Sequence, residues 1–365
     1  MKRQLKKWKL VVAATSMIMT IGFLIACQEK TAYYTVNDFE SIPKTDVHLH
    51  IDTQNPIYME FASKHNFRVI SPNVDAGTSI DDQFSVSEIT KKEWTDQYAF
   101  LGTFSVESFN DSNFADNTID RIKQCLIAGA SGIKIWKNIG MELKDTKGQF
   151  VMIDNPIFDP IFNYLEVNKI PVMGHLGEPL DCWLPLEEMI NAENRRYYEN
   201  HPQYHMYMHP ESPSYDDQIN ARDNRLRNNP NLLFTGAHIA SLEWSVDEVA
   251  KRLDEFPNMN IDLSARMTHI QYQSVDDYEK VKNFFIKYQD RILYGTDITI
   301  NANQANPNEV LQRLQESWKS HWIYLVTDST QHIKSMQQNV KGLKLPKEVI
   351  DKIYNNNADR FFESI

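Results

Sequence analysis

Cysteine is scarce in this chain, and the few cysteines do not define a disulfide framework. Only Cys27, Cys125 and Cys182 occur in 365 residues, and Cys27 ends an N-terminal apolar run. The two remaining cysteines can pair in an exported protein, but their spacing does not require a disulfide. Cys125 falls in an amphipathic helical pattern with Ile119 and Ile122, so we expect a buried thiol there.

Basic residues are also in short supply. The chain has 38 lysines and arginines against 49 aspartates and glutamates, which gives a net charge of −11 at pH 7. A nucleic-acid partner requires a basic surface for its phosphates, so this balance argues against one. Hydrophobic residues make up 42% of the chain and aromatic residues 11%, which is typical of a globular protein with a real core. No internal repeat and no low-complexity segment is visible.

A long apolar run lies at the N-terminus. A basic start precedes an uncharged stretch over 10–26, which ends in Leu24-Ile25-Ala26-Cys27. This order is typical of a secretory signal. The four-residue ending resembles the lipobox of bacterial lipoproteins, which implies cleavage before Cys27 and lipid on its thiol. The alternative is one membrane-spanning helix, for which about 17 apolar residues is the short limit.

The chain therefore divides into three predicted parts. Residues 1–26 are a lipoprotein signal peptide, residues 27–43 a lipidated tether, and residues 44–365 one catalytic domain. The protein is expected in the bacterial cell envelope, in the periplasm or at the outer membrane. Its N-terminal lipid is the only predicted membrane contact, and an oligomer is compatible with the sequence.

Beyond residue 43, short apolar segments alternate with helical patterns, which implies a parallel sheet. Eight such units over about 320 residues suit a (β/α)8 TIM barrel. A doubly wound open sheet is the alternative, but no glycine-rich phosphate loop follows the first strand. The eight strand candidates are 46–51, 68–74, 100–106, 132–136, 170–175, 232–238, 260–264 and 292–295.

Two long segments leave the predicted barrel at strand C-termini, where barrel enzymes keep their active sites. Residues 178–215 follow strand five and are rich in proline, tyrosine and histidine, and residues 299–333 follow strand eight. The first segment is a candidate lid. His201, His205 and His209 recur within it at every fourth position. We interpret them as loop surface or lid, with a second metal site as the alternative.

Polar residues at the strand ends carry the predicted chemistry. His48 and His50 are two apart in strand one, so a regular strand would place both on one face. Alone, this pair would equally suit a polar strand end. However, strands five, six and eight end on His175, His238 and Asp297, and all these ends converge in a parallel barrel. Imidazole and carboxylate together suit Zn²⁺ or a similar divalent ion with one position open for water.

This set resembles the amidohydrolase superfamily, and it looks most like the amidohydrolase 2 branch. The resemblance rests on the His-x-His pair, His175, His238 and the segment 292–297, Ile-Leu-Tyr-Gly-Thr-Asp. Residues 357–361, Asn-Ala-Asp-Arg-Phe, are similar to the closing helix of the family. The resemblance covers about residues 44–363. That branch contains lactonases, decarboxylases such as aminocarboxymuconate-semialdehyde decarboxylase, and many hydrolases of unknown substrate.

The resemblance implies a role for each residue. His48, His50, His175 and Asp297 would bind one divalent metal ion, with zinc preferred. His238 would hydrogen-bond to the water or the substrate and shuttle a proton, and Asp297 would also act as general base. A metal lowers the pKa of its water towards about 7, and a nearby carboxylate takes the proton.

The implied activity is hydrolysis of a lactone, amide or ester bond in a small polar substrate. Metal-dependent decarboxylation of a small carboxylic acid is the alternative, because the same ligand set serves both reactions in related proteins. A non-catalytic binding lipoprotein on the same barrel is a third possibility from a different class. The intact set of five site residues argues against it.

Four further side chains are candidates for substrate binding. Lys134 would point inward from strand four, either carbamylated between two metals or, as in the one-metal branch, free to contact substrate. Arg266, after strand seven, would bind a substrate carboxylate or a neighbouring loop. Glu178 and Trp183 open the insert and would either line the pocket or hold the insert in place. Lys137 is expected at the surface.

The lipidation hypothesis is tested by Cys27→Ser. We expect this variant to lose lipid labelling and to show slow signal cleavage, because the thiol is the predicted acceptor. Incorporation of labelled palmitate and membrane fractionation measure both effects, and Cys125→Ser is the matched control. Unchanged membrane attachment with an uncut N-terminus in both forms would instead support a transmembrane helix.

Overall fold

Eight parallel strands form the centre of the structure. The computed structural model describes residues 32–303 and 306–362, so the predicted signal peptide and Cys27 lie outside the described residues. Tyr34–Ile365 is one compact unit. The barrel strands are β1 (Lys44–Asp46), β2 (Phe67–Pro72), β3 (Tyr98–Leu101), β4 (Ile133–Ile135), β5 (Val172–Gly174), β6 (Phe234–Gly236), β7 (Met259–Asp262) and β8 (Ile292–Leu293).

Helices alternate with these strands, as the sequence pattern predicts. A π turn over Lys352–Asn356 links the last two helices. Among the described residues, no helix combines the length and the apolar character that a membrane span requires. The helices are Ile57–Lys64, Ile80–Glu93, Phe114–Ile127, Asn138–Met141, Asp159–Val167, Ala192–Asn200, Tyr215–Asn228, Ala237–Ala240, Val246–Glu255, Met267–Asp276, Tyr278–Lys287, Pro307–Val326, Lys347–Asp351 and Asn357–Phe362.

The strands form a ring. Regular ladder pairing gives a three-strand parallel sheet, β1-β2-β3, and a five-strand parallel sheet from β4 to β8. Backbone hydrogen bonds join the two sheets at both junctions. The Val47 amide donates to the Tyr294 carbonyl over 3.0 Å, and the Lys134 amide donates to the Gly102 carbonyl over 2.7 Å. The predicted TIM barrel is therefore confirmed, and all its strand C-termini face one mouth.

Apolar residues pack in two layers on the two sides of the strands. A small cluster fills the barrel interior, where Val47, Ile70 and Leu293 meet Phe361 and Phe362 of the last helix. A much larger cluster lies between the strands and the surrounding helices. The C-terminal helix thus plugs the barrel at the end opposite to the mouth and leaves the mouth free for polar residues.

The first strand differs from its prediction. The sequence pattern predicts one regular strand over 46–51, but β1 ends at Asp46 and a second short strand begins at His50. The ladder is interrupted because the Asp46 carboxylate accepts the His48 amide over 3.2 Å, while Val47 turns into the barrel interior. The rings of His48 and His50 nevertheless lie 5.1 Å apart between centroids. Their convergence comes from this break, not from strand alternation.

The insert 178–215 folds over its own small core. Short 3₁₀ turns flank the helix Ala192–Asn200, and Cys182, Met189 and Tyr198 form a buried apolar cluster. The Cys182 thiol is buried and free, as is that of Cys125, which agrees with the expectation for Cys125. A hairpin of Thr330–Ile333 and Gln338–Lys341 lies near the insert. Its connecting turn accepts a hydrogen bond from the insert, from the Ala192 amide to the Ser335 carbonyl over 3.1 Å.

Trp183 anchors this insert to the barrel. Its indole N–H donates to the Pro213 carbonyl over 3.2 Å, and its half-buried ring packs edge-on against Tyr215 at 5.5 Å. Tyr215 begins the helix that precedes β6. Of the two roles expected for Trp183, these contacts favour holding the insert in place over lining the pocket.

Trp183→Ala is therefore expected to lower the free energy of unfolding by about 2 kcal/mol, less than for a fully buried tryptophan, because the ring is half-buried. Thermal unfolding and limited proteolysis within 178–215 measure the effect. Tyr207→Ala is the control, since that side chain is exposed in the same insert and should change little. An unchanged melting temperature with lost turnover would instead assign the Trp183 ring to the pocket wall.

Candidate active site

Three metal-ligand side chains converge at the mouth of the barrel. The Nε2 atoms of His48 and His50 lie 3.4 and 3.3 Å from Oδ1 of Asp297. In a tetrahedral site with bonds of about 2.1 Å, neighbouring ligand atoms are about 3.4 Å apart. The spacing of these three groups therefore fits one divalent ion.

His175 joins this group through His238, whose ring centroid lies 4.3 Å from that of His175 and 4.9 Å from that of His48. Both ring nitrogens of His175 are buried and lack a hydrogen-bond partner among the described residues. Glu178 approaches only to 3.6 Å, which is too long for a hydrogen bond. Burial lowers the pKa of His175 to about 3, so the ring is neutral and can offer a lone pair. Buried polar atoms without partners are costly, and a metal ion would satisfy this one. The residues present thus fit the metal that the family resemblance implies.

Lys134 points into the same cluster, which agrees with the prediction that this side chain faces the barrel interior. Its Nζ atom lies 3.2 Å from His48 Nε2, and the side chain is fully buried. Burial lowers the pKa of Lys134 to about 8. The ammonium competes with a metal ion for the same nitrogen of His48. Metal binding therefore requires Lys134 to move away or to lose its charge.

Asp262, at the end of β7, is a site residue that the sequence analysis missed. Its Oδ2 accepts His48 Nδ1–H over 2.9 Å, and its Oδ1 accepts the backbone amide of His238 over 2.8 Å. Burial alone would raise the pKa of Asp262, but His48, His238 and Lys134 hold it well below its ordinary value. A carboxylate that accepts Nδ1–H leaves Nε2 of His48 free for a metal. A polar residue at the end of an apolar strand, the signal that identified Asp297, would have found Asp262.

Asp46, at the end of β1, is the second missed residue. Its carboxylate accepts the amide and the hydroxyl of Thr296 over 3.0 and 2.7 Å, and the Trp318 indole N–H over 3.0 Å. Asp297 follows in a left-handed conformation with φ 62°, and its amide donates to the His48 carbonyl over 2.6 Å. Asp46 therefore positions the ends of strands one and eight against each other.

His238 sits on a strained turn. His238–Ser241 are four consecutive residues with φ between 55° and 59°, a left-handed path that side chains rarely adopt. Arg222 donates to the carbonyl of Ala240, and the Tyr215 hydroxyl donates to that of Ser241, which holds the turn. The turn places the centroid of the His238 ring 4.3 Å from the centroid of the His175 ring. Burial and His175 keep the pKa of His238 well below its ordinary value, so this ring is neutral too.

The two predicted mouth residues Glu178 and Arg266 differ in their partners. Glu178 forms an ion pair with Lys137, which holds the pKa of Glu178 well below its ordinary value against the opposing effect of burial. The expectation that Lys137 lies at the surface is wrong. The chain turns after β4 and brings Lys137, half-buried, under the insert.

Arg266 is buried and makes no ion pair with any described carboxylate. It donates only to the Ala265 carbonyl, and its Nε atom has no partner.

The histidines of the insert are structural. Each donates a hydrogen bond from one ring nitrogen to a backbone carbonyl within the insert, and none belongs to a group of described residues that could hold a metal. The three pairs are His201 with Tyr197, His205 with Leu184 and His209 with Pro202. The alternative of a second metal site in this segment has no support among the described residues.

Comparisons with known proteins agree with this architecture. The model of the amidohydrolase 2 family, described as Amidohydrolase, matches residues 108–363. The crystal structure of 2,6-dihydroxybenzoate decarboxylase from Rhizobium is 15% identical, covers 88% of this chain and 99% of that chain, and has a TM-score of 0.52. The same enzyme type complexed with 2,6-dihydroxybenzoate gives 14% identity, coverage of 88% and 99%, and a TM-score of 0.51. At these identities the likeness shows the fold alone. No match was found among the curated proteins.

The metal site is tested by removing its ligands. Purified protein should carry about one divalent ion per chain, and His48→Ala, His175→Ala and Asp297→Ala should each lose most of it. Asp262→Asn should keep the ligands but weaken metal affinity about 10- to 100-fold, because the His48 ring loses its negatively charged acceptor. Elemental analysis and chelator competition measure both effects. His209→Ala, outside the cluster, is the control, and full occupancy in all three ligand variants would contradict the assignment.

Proposed function

Because this chain belongs to the amidohydrolase family, we propose that it is a metal-dependent hydrolase that opens a lactone, amide or ester bond in a small polar substrate. The family includes metal-dependent hydrolases and decarboxylases. One observation carries the proposal. His48, His50 and Asp297 converge at ligand spacing near His175, whose two buried ring nitrogens have no hydrogen-bond partner among the described residues.

In this proposal His48, His50, His175 and Asp297 hold one ion, which we take to be zinc. When bound, such an ion supplies a Lewis acid and makes water nucleophilic near neutral pH. We assign the Asp297 carboxylate as the general base, because its side chain is 30% exposed, whereas those of His48 and His50 are 0% and 7% exposed. The proton that Asp297 takes from water passes to the leaving oxygen or nitrogen as the scissile bond breaks.

His238 is placed to shuttle that proton. The Ser264 carbonyl lies 3.1 Å from His238 Nδ1 and can only accept, so Nδ1 carries the hydrogen. The opposite nitrogen, Nε2, therefore carries a lone pair and can accept a hydrogen bond from water. The neutral state of the ring at working pH agrees with this role.

Lys134 and Arg266 are the proposed substrate contacts. Lys134 reaches the reaction centre from β4, and Arg266 brings to the mouth a guanidinium that makes no ion pair with any described carboxylate. A planar guanidinium binds a carboxylate through two parallel hydrogen bonds. Glu178 acts indirectly, since its pairing with Lys137 orders the wall next to His175.

Decarboxylation is the second candidate. The buried guanidinium of Arg266 would hold the carboxylate of a small acid, and the fold is similar to that of a 2,6-dihydroxybenzoate decarboxylase.

We also propose that the protein is exported and lipidated at Cys27, on the basis of its N-terminal sequence.

Product analysis distinguishes these functions. Zinc-loaded protein is incubated with simple lactones, esters, amides and carboxylic acids, and both acid release and CO₂ release are measured. We expect acid release without CO₂, and a loss of about 10²- to 10⁴-fold in kcat for His238→Gln. Metal content should not change in that variant, because His238 is not one of the four proposed ligands. CO₂ release would assign a decarboxylase, and no turnover at full metal occupancy would assign a binding protein.

A further inference from the structure

The insert 178–215 is tied to the barrel directly beside His238. The segment 241–244 ends the left-handed turn that carries His238, and it contacts both ends of the insert. We propose that Tyr215 and Glu243 are positioning residues, which couple the insert to the His238 ring through this segment. The inference rests on the role in proton transfer proposed for His238, and neither positioning residue is assigned a contact with substrate.

The start of the insert is held by two hydrogen bonds. The Ser241 hydroxyl donates to the Gly177 carbonyl over 2.7 Å, and the carboxyl group of Glu243 accepts the Leu180 amide over 2.8 Å. Burial raises the pKa of Glu243, but a carboxyl oxygen accepts an amide in either protonation state. Both bonds come from the segment 241–244, so they fix the first residues of the insert to that segment.

Tyr215 holds the end of the insert to the same segment. Its hydroxyl donates to the Ser241 carbonyl and accepts the Trp244 indole N–H over 2.8 Å. Burial and Glu243 raise the pKa of this hydroxyl, so it stays protonated and remains a donor. The Tyr215 ring also packs against the Trp183 ring, with 5.5 Å between centroids. One buried side chain therefore joins the insert to the last residue of the left-handed path.

The two ends of the insert also lie against each other. Gly177 has φ 90°, and a Cβ atom at this position would lie 3.0 Å from Cβ of Gln218. Gln218 belongs to the helix that begins at Tyr215. The start and the end of the insert thus form one packed base, and the segment 241–244 is bonded to both parts of it.

The His238 turn requires support of this kind. Four consecutive residues other than glycine in the left-handed region cost free energy, and such a path persists only where the surrounding contacts hold it. The Ser241 amide donates to the His238 carbonyl over 3.1 Å, so a shift of Ser241 reaches His238 directly. Loss of the contacts at Ser241 and Glu243 should therefore let the turn relax and move the His238 ring.

NMR of the imidazole rings tests this coupling without requiring turnover. Purified protein is labelled with ¹³C at the Cε1 atom of histidine, and His238→Gln identifies the ring signal of His238. Tyr215→Phe removes only the hydroxyl and keeps the ring that packs against Trp183. We expect this variant to shift or broaden the His238 signal, because the Ser241 carbonyl loses its donor. The signal of His332, an exposed histidine on the hairpin, should not change.

Tyr34→Phe is the matched control. Tyr34 is 9% exposed and Tyr215 is 8% exposed, and the Tyr34 hydroxyl donates to Asp351 over 2.6 Å. Each variant therefore loses one hydrogen-bonded hydroxyl from a buried tyrosine, and both should lower the melting temperature. Only Tyr215→Phe should move the His238 signal. Equal movement in both variants, or no movement in Tyr215→Phe, would overturn the proposal.

Glu243 provides an independent test of the same coupling. Glu243→Met removes the acceptor of the Leu180 amide and should also shift the His238 signal. Glu243→Gln keeps a side-chain carbonyl as acceptor, so it should retain the parent signal. Glu187→Gln, at an exposed position of the insert, controls for the change in charge. A parent-like signal in Glu243→Met, or equal shifts in the Met and Gln variants, would overturn the assignment of Glu243.

Kinetics separate this inference from the proposed function. With γ-butyrolactone as substrate, Tyr215→Phe should lower kcat about tenfold at a nearly unchanged KM, because His238 acts in the reaction step. Hydrolysis by the parent protein with an unmoved His238 signal in Tyr215→Phe and Glu243→Met would overturn only the coupling. A moved signal in a protein that hydrolyses no lactone, ester or amide would retain the coupling and contradict the hydrolase.

Discussion

The buried carboxylate of Asp262 is the interaction on which the site depends. It accepts the Nδ1 hydrogen of His48 and the backbone amide of His238, and so couples strands one, six and seven in a fully buried region. In such surroundings an ionic hydrogen bond is strong, and the loss of one partner leaves a buried group unsatisfied. The carboxylate therefore sets both the direction of the His48 lone pair and the entry to the strained turn that carries His238.

The barrel and its inserts contribute differently to function. Ring closure places the ends of all strands at one mouth, which concentrates ligand-type side chains from distant parts of the chain. The insert 178–215 and the hairpin after β8 surround that mouth and determine what approaches it. Trp183 and the backbone contact at Ser335 fix these segments to the barrel and to each other. A rigid scaffold thus supplies the reactive group, and the loops supply selectivity.

The same region departs from ordinary rules of packing. Within the described part of the chain, His175 has two buried nitrogens without hydrogen-bond partners, Lys134 is buried against an imidazole, and Arg266 makes no ion pair. His238–Ser241 follow a left-handed path. The unpartnered groups cost free energy that a bound ion or substrate would offset, whereas hydrogen bonds from Arg222 and Tyr215 hold the left-handed turn. Such local conflicts cluster at functional sites, where the remaining structure tolerates them.

Local patterns in the sequence determined the barrel and the strand ends that carry His175, His238 and Asp297, because periodicity and chain order are local properties. The tertiary structure decided the rest. The contact of Asp262 with His48 spans 214 residues and that of Asp46 with Thr296 spans 250, so neither shows in any local pattern. Likewise, Lys137 leaves the surface only because the chain turns after β4. The cavity of about 680 Å³ beside Asp297 exists only because five distant segments fold over one mouth, namely 191–194, 265–271, 296–299, 313–321 and 332–335, so its shape belongs to none of them alone.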